Sequence, residues 1–146
     1  MSRSVKVHFR LVQDKDDYPP VDVESLWAQP GAEAGEYVID NVPFFARDAT
    51  LGDTVFVRED EGHLWFERLV HRSGNSLVRV AFFDRTCLEK VSERLATLGC
   101  STEYLRDHNL LAVSIPDTVK LMSVQVYLQA EASAGSIDYE EPILRQ

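Results

Sequence analysis

Side chains that move protons, attack carbonyls or hold metals do chemistry only at the right spacing, and few stand at one here. The chain has no G-x-x-x-x-G-K, no G-x-G-x-x-G, no G-x-S-x-G and no H-E-x-x-H. His8, His63, His71 and His108 fall on separate stretches without metal-ligand spacing. "DKDD" at 14–17 begins as a calcium loop does, but the sixth position, where that loop needs glycine, is Pro19. A solvated charge run is the better reading. His71 and Ser73 have the residue types of a base and a nucleophile, yet Ser-Gly after a strand is an ordinary turn. No residue is assigned a catalytic role, and no cofactor or metal is expected.

What remains is a set of aromatic and polar residues in stretches that read as loops: "DYPPVDVESLWA" (17–28), "DNVPFF" (40–45), "HRSGNS" (71–76) and "DYEEP" (138–142). The candidate binding residues are Tyr18, Glu24, Trp27, Asn41, Phe44, Phe45, Arg72, Ser73, Arg79, Tyr139 and Glu140. Rings with a polar handle are enriched at interfaces, and carboxylates can pair with arginines of a partner. Structural roles compete with these. Trp27 is expected in the core, and Tyr18 against Pro19 and Pro20. Of Phe44 and Phe45, at least one is expected to plug a core. Adjacent side chains on an extended segment point in opposite directions, so the other can line a groove.

Lys and Arg number 15 against 24 Asp and Glu, a net charge of −9. That sign repels phosphate backbones and anionic membranes, so neither nucleic acid nor membrane is an expected partner. It suits a basic protein partner, although acidity also serves solubility alone. No apolar run approaches the roughly 20 residues needed to span a bilayer. "MSRSVKVHFRLVQ" lacks the apolar centre of a secretory signal. Cys87 and Cys100 form no C-x-x-C and would have to bridge the start of a helix to the residue beyond its end. Free thiols in the cytoplasm are the expectation.

The second half has the clearest periods. "LVRVAFF" (77–83) reads as a buried strand. In "TCLEKVSERLATLG", Thr86 and Glu89 have capping-box spacing, while Leu88, Val91, Leu95 and Leu98 form one stripe that Gly99 ends. "STEYL" and "LLAVSI" read as strands joined through "RDHN". Pro116 and Asp117 open a second helix with Leu121, Val124 and Leu128 on one face, Gly135 ends it, and "SIDYEEP" is a last strand. Strand, helix, strand, strand, helix, strand is the ferredoxin-like arrangement. Its edge strands would be those bearing Glu103, Asp138, Glu140 and Glu141, charges that discourage edge pairing. Val78, Val80 and Phe82 would lie under the helices; Leu77, Ala81, Phe83, Leu110 and Ala112 would face the other way and need a cover.

The first half supplies candidate strands in "VKVHFRL", "GEYVI", "TVFVRE" and "HLWFERLVH", the last two a hairpin over "DEG" with Val55 and Val57 opposite Leu64, Phe66 and Val70 or their neighbours. The predicted fold class is α+β: a small β-barrel or curled antiparallel sheet over 1–75, packed on a ferredoxin-like unit over 76–146, in one compact body with a shared core.

In order, "YPPVDVESLWA", "YVIDNVPFF", "LGDTVFV", "RSGNS", "LGCSTE" and "DYEE" resemble a bacterial family known as domain of unknown function 4265. The resemblance covers nearly the whole chain and implies a bacterial, cytoplasmic protein, without implying an activity. It directs attention to Tyr18, Pro19, Pro20, Glu24, Trp27, Asn41, Pro43, Phe44, Phe45, Gly52, Asp53, Ser73 and Gly74. The expected function is non-catalytic: an acidic binding protein that engages a protein partner, in its most concrete form an immunity or antitoxin protein against a basic toxin. The alternative is a small-molecule-binding protein or enzyme using a groove between the two lobes through Trp27, Phe45, Glu24, Asn41, Arg72 and Arg79. A homodimer through an edge strand is the third.

Overall fold

The computed structural model describes residues 4–146. Residues 1–3, the start of the N-terminal stretch read above, lie outside the described residues. The fold is mixed α+β, with a five-stranded sheet, a four-stranded sheet and two helices. The chain divides into two units, Met1–Ser73 and Gly74–Gln146.

In the first unit, strand β1 (Val5–Arg10) alternates as its sequence does. Val7 and Phe9 are buried, while Lys6 and Arg10 are exposed and His8 is half-buried. The strand pairs antiparallel with β2 (Val23–Pro30), opposing Lys6 to Trp27 and His8 to Ser25. β3 (Glu36–Ile39), β4 (Thr54–Asp60) and β5 (His63–His71) continue the antiparallel order. The sheet curls until its outer strands meet, β1 pairing parallel to β5 at Val7↔Leu64 and His8↔Trp65. Its inner side is an apolar cluster of Val7, Phe9, Leu26, Ala28, Ile39, Val55 and Val57. Phe9 and Phe66 stack there at 4.7 Å between centroids.

One expectation changes in this unit. Residues 23–30 are strand β2 rather than loop, because Glu24 joins Leu26 and Ala28 on the buried side. The β4–β5 hairpin is as expected, opposing Val57 to Phe66 and Val55 to Leu69, the neighbour of Val70, with two register shifts along the pair. Its turn is Glu61-Gly62 with φ of 52° and 80°. Both values lie in the left-handed region that two-residue hairpin turns favour.

In the second unit the strand order is β7-β8-β6-β9, with every pairing antiparallel. β6 (Ser76–Phe82) and β8 (Leu110–Ile115) are central; β7 (Ser101–Leu105) and β9 (Ile137–Ile143) are the edges, as their charges imply. Helix α1 (Leu88–Leu98) follows β6 and α2 (Leu121–Ser133) follows β8. Val78, Val80 and Phe82 pack with Val91, Leu95, Val124 and Leu128 in one core. On the other side of the sheet Leu77, Leu110 and Ala112 are buried, outside that helix-side core.

Three local readings are corrected here. The Thr86–Glu89 pair does not cap α1, which has no side-chain cap; Asp84 instead caps the 3-10 turn Arg85–Cys87 that leads into it, its Oδ1 accepting from the Thr86 backbone N–H at 3.0 Å and from the Thr86 hydroxyl at 2.6 Å. Phe83 is 71% exposed, because β6 ends at Phe82 and the chain turns outward, with the Phe83 and Asp84 N–H groups both donating to Ser136 O. α2 begins at Leu121 rather than Pro116, since 116–119 form a separate turn closed by Val119 N–H to Pro116 O at 3.0 Å. At the end of α1, Gly99 has φ of 107°, and a Cβ there would stand 2.7 Å from Val119 Cγ2. Glycine answers both demands.

Candidate functional site

Glu24 points into the first unit with 9% of its surface exposed. A buried carboxylate needs donors, and the 44–46 segment supplies them. The Phe44 N–H donates to Oε2 at 2.6 Å; the Phe45 and Ala46 N–H groups donate to Oε1 at 3.0 and 2.7 Å. Pro43 just before them leaves the chain in a conformation with no strand partner, so the Glu24 side chain does the work of a missing strand. Glu24 is a tether for the Phe44–Phe45 segment, not a surface acid awaiting a partner.

Two more candidates are absorbed in the same way. Asn41 Oδ1 accepts the Trp27 N–H at 2.7 Å, extending the β2–β3 pairing past the end of β3. The Ser73 N–H donates to buried Asp53 Oδ1 at 2.8 Å, and the Ser73 hydroxyl donates to Leu51 O at 2.8 Å. A hydroxyl held on a carbonyl is a turn fastener rather than a nucleophile. Arg72 is exposed in the turn that follows β5.

Of the two phenylalanines, Phe45 is buried and Phe44 half-buried. The buried ring also forms one wall of a groove of about 220 Å³ lined with Arg10, Leu11, Val12, Pro19, Arg47 and Asp48. Tyr18, 44% exposed, meets Phe45 edge-on at 6.4 Å between centroids.

Trp27 is not in the core. It is 46% exposed on the outer side of β2, because the inner positions of that strand are taken by Glu24, Leu26 and Ala28. Lys6 Nζ lies 4.2 Å from its ring centroid, and on the same outer face Arg10 Cζ lies 4.3 Å from that of Trp65. Between these pairs His8 meets the rings of His63 and Trp65 at 5.2 and 5.4 Å, and its Nδ1 shares a 2.6 Å hydrogen bond with Ser25 Oγ. Partial burial, then the neighbouring His63 and Lys6, hold the His8 pKa below its ordinary value. Cations over rings in this way are worth roughly 0.5–1 kcal/mol each when exposed. Sequence reasoning passed over Lys6, His8, Arg10, His63 and Trp65. The alternation of "VKVHFR" already puts the first three on one face; what was missing was the strand beside them that carries Trp27.

The remaining candidates lie in the second unit. Arg79 is 1% exposed in the central strand β6 and forms an ion pair at 3.4 Å with Glu140 of β9, whose side chain is 36% exposed. The Tyr139 hydroxyl donates to Gln129 Oε1 at 3.2 Å, and burial, with Glu141 and Asp138 nearby, raises its pKa. Tyr139 and Glu141 line an open groove with Met122, Gln125, Val126 and Gln129 of α2. Cys87 and Cys100 are both free thiols. Among the described residues no three His, Cys, Asp or Glu gather where they could hold a metal ion, and no helix is long and apolar enough to cross a membrane.

Comparison with known proteins gives the relationship of the chain. No curated protein matches it. A solved structure described as a novel crystal structure of a hypothetical protein from Neisseria gonorrhoeae matches with a TM-score of 0.72 at 19% identity, covering 100% of this chain and 97% of that one. A likeness at that identity speaks to the fold alone. The model of the DUF4265 family, a domain of unknown function, matches residues 24–139. That span runs from the Glu24 tether to Tyr139 on β9 and takes in most of both units, so the chain belongs to the DUF4265 family.

Proposed function

We propose that this is a non-catalytic binding protein that holds a basic protein segment on the α2–β9 side of its second unit. One observation carries the reading. Met122 and Val126, 72% and 65% exposed, stand one helical turn apart on the outer face of α2, beside Tyr139 and Glu141 of the edge strand β9. A helix with apolar residues on its outer as well as its inner face is suited to burial on both. The groove it borders measures about 400 Å³. An apolar side chain flanked by Lys or Arg matches it, the apolar group against Met122 and Val126 and the cations against Glu141 and Asp138. The net charge of −9 steers the same encounter from a distance. An immunity or antitoxin protein acting on a basic toxin is the concrete form of this reading. The strand order β7-β8-β6-β9 with helices after β6 and β8 fits a ferredoxin-like unit, whose edge strand is a frequent docking element.

A photo-crosslinking residue at Val126 tests it. The proposal expects one basic partner captured at low salt, less at high salt, and none once Met122→Asp is added. Capture indifferent to both salt and Met122→Asp would reject it. The second reading, a small-molecule-binding protein, is favoured by the Phe45 groove with Arg10 and Arg47 in its lining.

A further inference from the structure

We infer, resting on the binding role proposed above, that the segment held on the α2–β9 surface is a basic amphipathic helix laid along α2, and not a strand added to β9.

The α2 residues that border the groove are Met122, Gln125, Val126 and Gln129. Their spacing is i, i+3, i+4 and i+7, the stripe by which one helix packs on another. It is a second stripe, because Leu121, Val124 and Leu128 already face the core of the unit. At about 1.5 Å of rise per residue it runs for two turns, about 10 Å, which seats a helix and exceeds what a single side chain needs. Met122 at its head is unbranched and adapts to the shape set against it. The two banks of the groove are tied together. Gln125 Nε2 donates to Glu141 Oε2 at 2.6 Å, and the Tyr139 hydroxyl donates to Gln129 Oε1 at 3.2 Å. A groove formed before its ligand arrives spares the cost of ordering it.

The open edge of β9 is a poor template for a strand. Ladder bonds alternate along an antiparallel pair. Since the Phe83 N–H donates to Ser136 O, Asp138 and Glu140 turn their backbone groups toward β6, and Tyr139 turns its own to the edge. There the Tyr139 N–H is already taken by Asp138 Oδ1 at 2.9 Å. Pro142, further along the same strand, has no N–H to offer. An added strand would find a central donor occupied. A helix satisfies its own backbone and needs only side-chain contact, which the stripe supplies.

Charge fixes the sign of the helix. The residues of α2 and β9 include the acids Glu131, Asp138, Glu140 and Glu141 and no Lys, Arg or His. Glu131 is paired with Lys90 at 3.1 Å and Glu140 with Arg79 at 3.4 Å. Asp138 and Glu141, both exposed, are left to meet a ligand. Lys120 precedes α2 and Arg145 follows β9, at the end where the Leu121 N–H meets Gln146, so they border one end of the groove and not its middle. A helix with apolar residues against Met122 and Val126 and with Lys or Arg along the β9 side matches this layout. A second copy of this chain would set these acids against their own kind.

Two fluorescein-labelled peptides of about 14 residues, each half Leu and half Lys, separate the modes. One places its leucines at helical spacing and the other alternates Leu with Lys as a strand does. Anisotropy against the intact protein is expected to show saturable binding of the helical peptide, about tenfold tighter than the alternating one and weaker as salt is raised. Met122→Asp and Val126→Asp are each expected to weaken it about tenfold while the circular dichroism spectrum of the protein stays unchanged. An alternating peptide that binds as tightly or more tightly, and still responds to Met122→Asp, would overturn the helix and leave the binding role standing. No binding of either peptide up to about 1 mM, or binding indifferent to both substitutions, would overturn the two together. Sedimentation of the protein alone completes the test: a dimer that Met122→Asp dissolves would replace the helix by a second copy.

Discussion

The Glu24 carboxylate accepts the backbone N–H of Phe45, 21 positions later in the chain, at 3.0 Å. The same carboxylate holds the N–H groups of Phe44 and Ala46. Glu24→Ala strands three donors in a buried site, and each lost partner costs on the order of 1–3 kcal/mol. A loss of about 3 kcal/mol or more in urea unfolding is expected, with Glu24→Gln losing about half of that because its amide keeps one acceptor oxygen. A Glu24→Ala protein within about 0.5 kcal/mol of the parent would show that the segment stands without its tether.

Arg79 and Glu140 differ in exposure, the guanidinium at 1% and the carboxylate at 36%. Removing the outer partner leaves a buried cation with less compensation, whereas replacing the cation by an apolar side chain leaves a carboxylate that water can reach. Glu140→Ala is thus expected to cost on the order of 2 kcal/mol and Arg79→Met under about 1 kcal/mol. A double-mutant cycle checks the coupling; the reverse order of costs would contradict the assignment.

His8 gives stability a pH dependence of known sign. Its folded pKa lies below the ordinary 6.5, so the folded state favours the neutral ring. Well above 6.5 both states are neutral and the effect vanishes. As pH falls through 6.5 the unfolded chain takes the proton first, and stability is lost until the lower folded value is reached. The parent should lose more stability between about pH 7.5 and 5.5 than His8→Gln does. Parallel pH profiles of the two proteins would remove His8 from the account.

Cys100 is 8% exposed, and burial pushes its thiol from the ordinary 9.0 up to about 11. The thiolate is the reactive form. At about pH 8 Cys100 should react with iodoacetamide only as fast as the protein unfolds, and urea should release it. Above pH 9 the unfolded chain ionises first, so this thiol subtracts stability as pH rises toward 11. Rapid labelling of folded Cys100 would refute its burial.

Much of the fold was legible because periodicity and charge spoke for one geometry. β6, β7, β8, β9 and α1 stand near their expected bounds, and the acids of β7 and β9 marked the edges correctly. Failure came where a residue serves an element distant in sequence. Glu24 breaks the apolar alternation of β2 because it faces inward to serve 44–46, so a reading that sends charge outward finds no strand there. The start of α2 was misread for a related reason. Its Leu121 N–H donates to Gln146 Oε1 at 3.2 Å, and the Gln146 amide donates to Val119 O at 2.6 Å. A cap supplied from 25 positions away leaves no local signature. The candidate site was less legible than the fold. Glu24, Asn41, Ser73 and Arg79 have the types of binding residues but are occupied by the protein's own backbone and side chains, while Lys6, Arg10 and Trp65 become notable only once β2 lies beside β1.

The tether also changes what counts as the interior of the first unit. Residues 44–46 belong to no strand, yet their amides are locked by a side chain anchored in β2, the strand that bridges β1 and β3. In deuterated solvent those three amides should therefore exchange with the slow kinetics of the sheet and release together with it. A segment that looks like surface connection is, dynamically, another rung of the ladder.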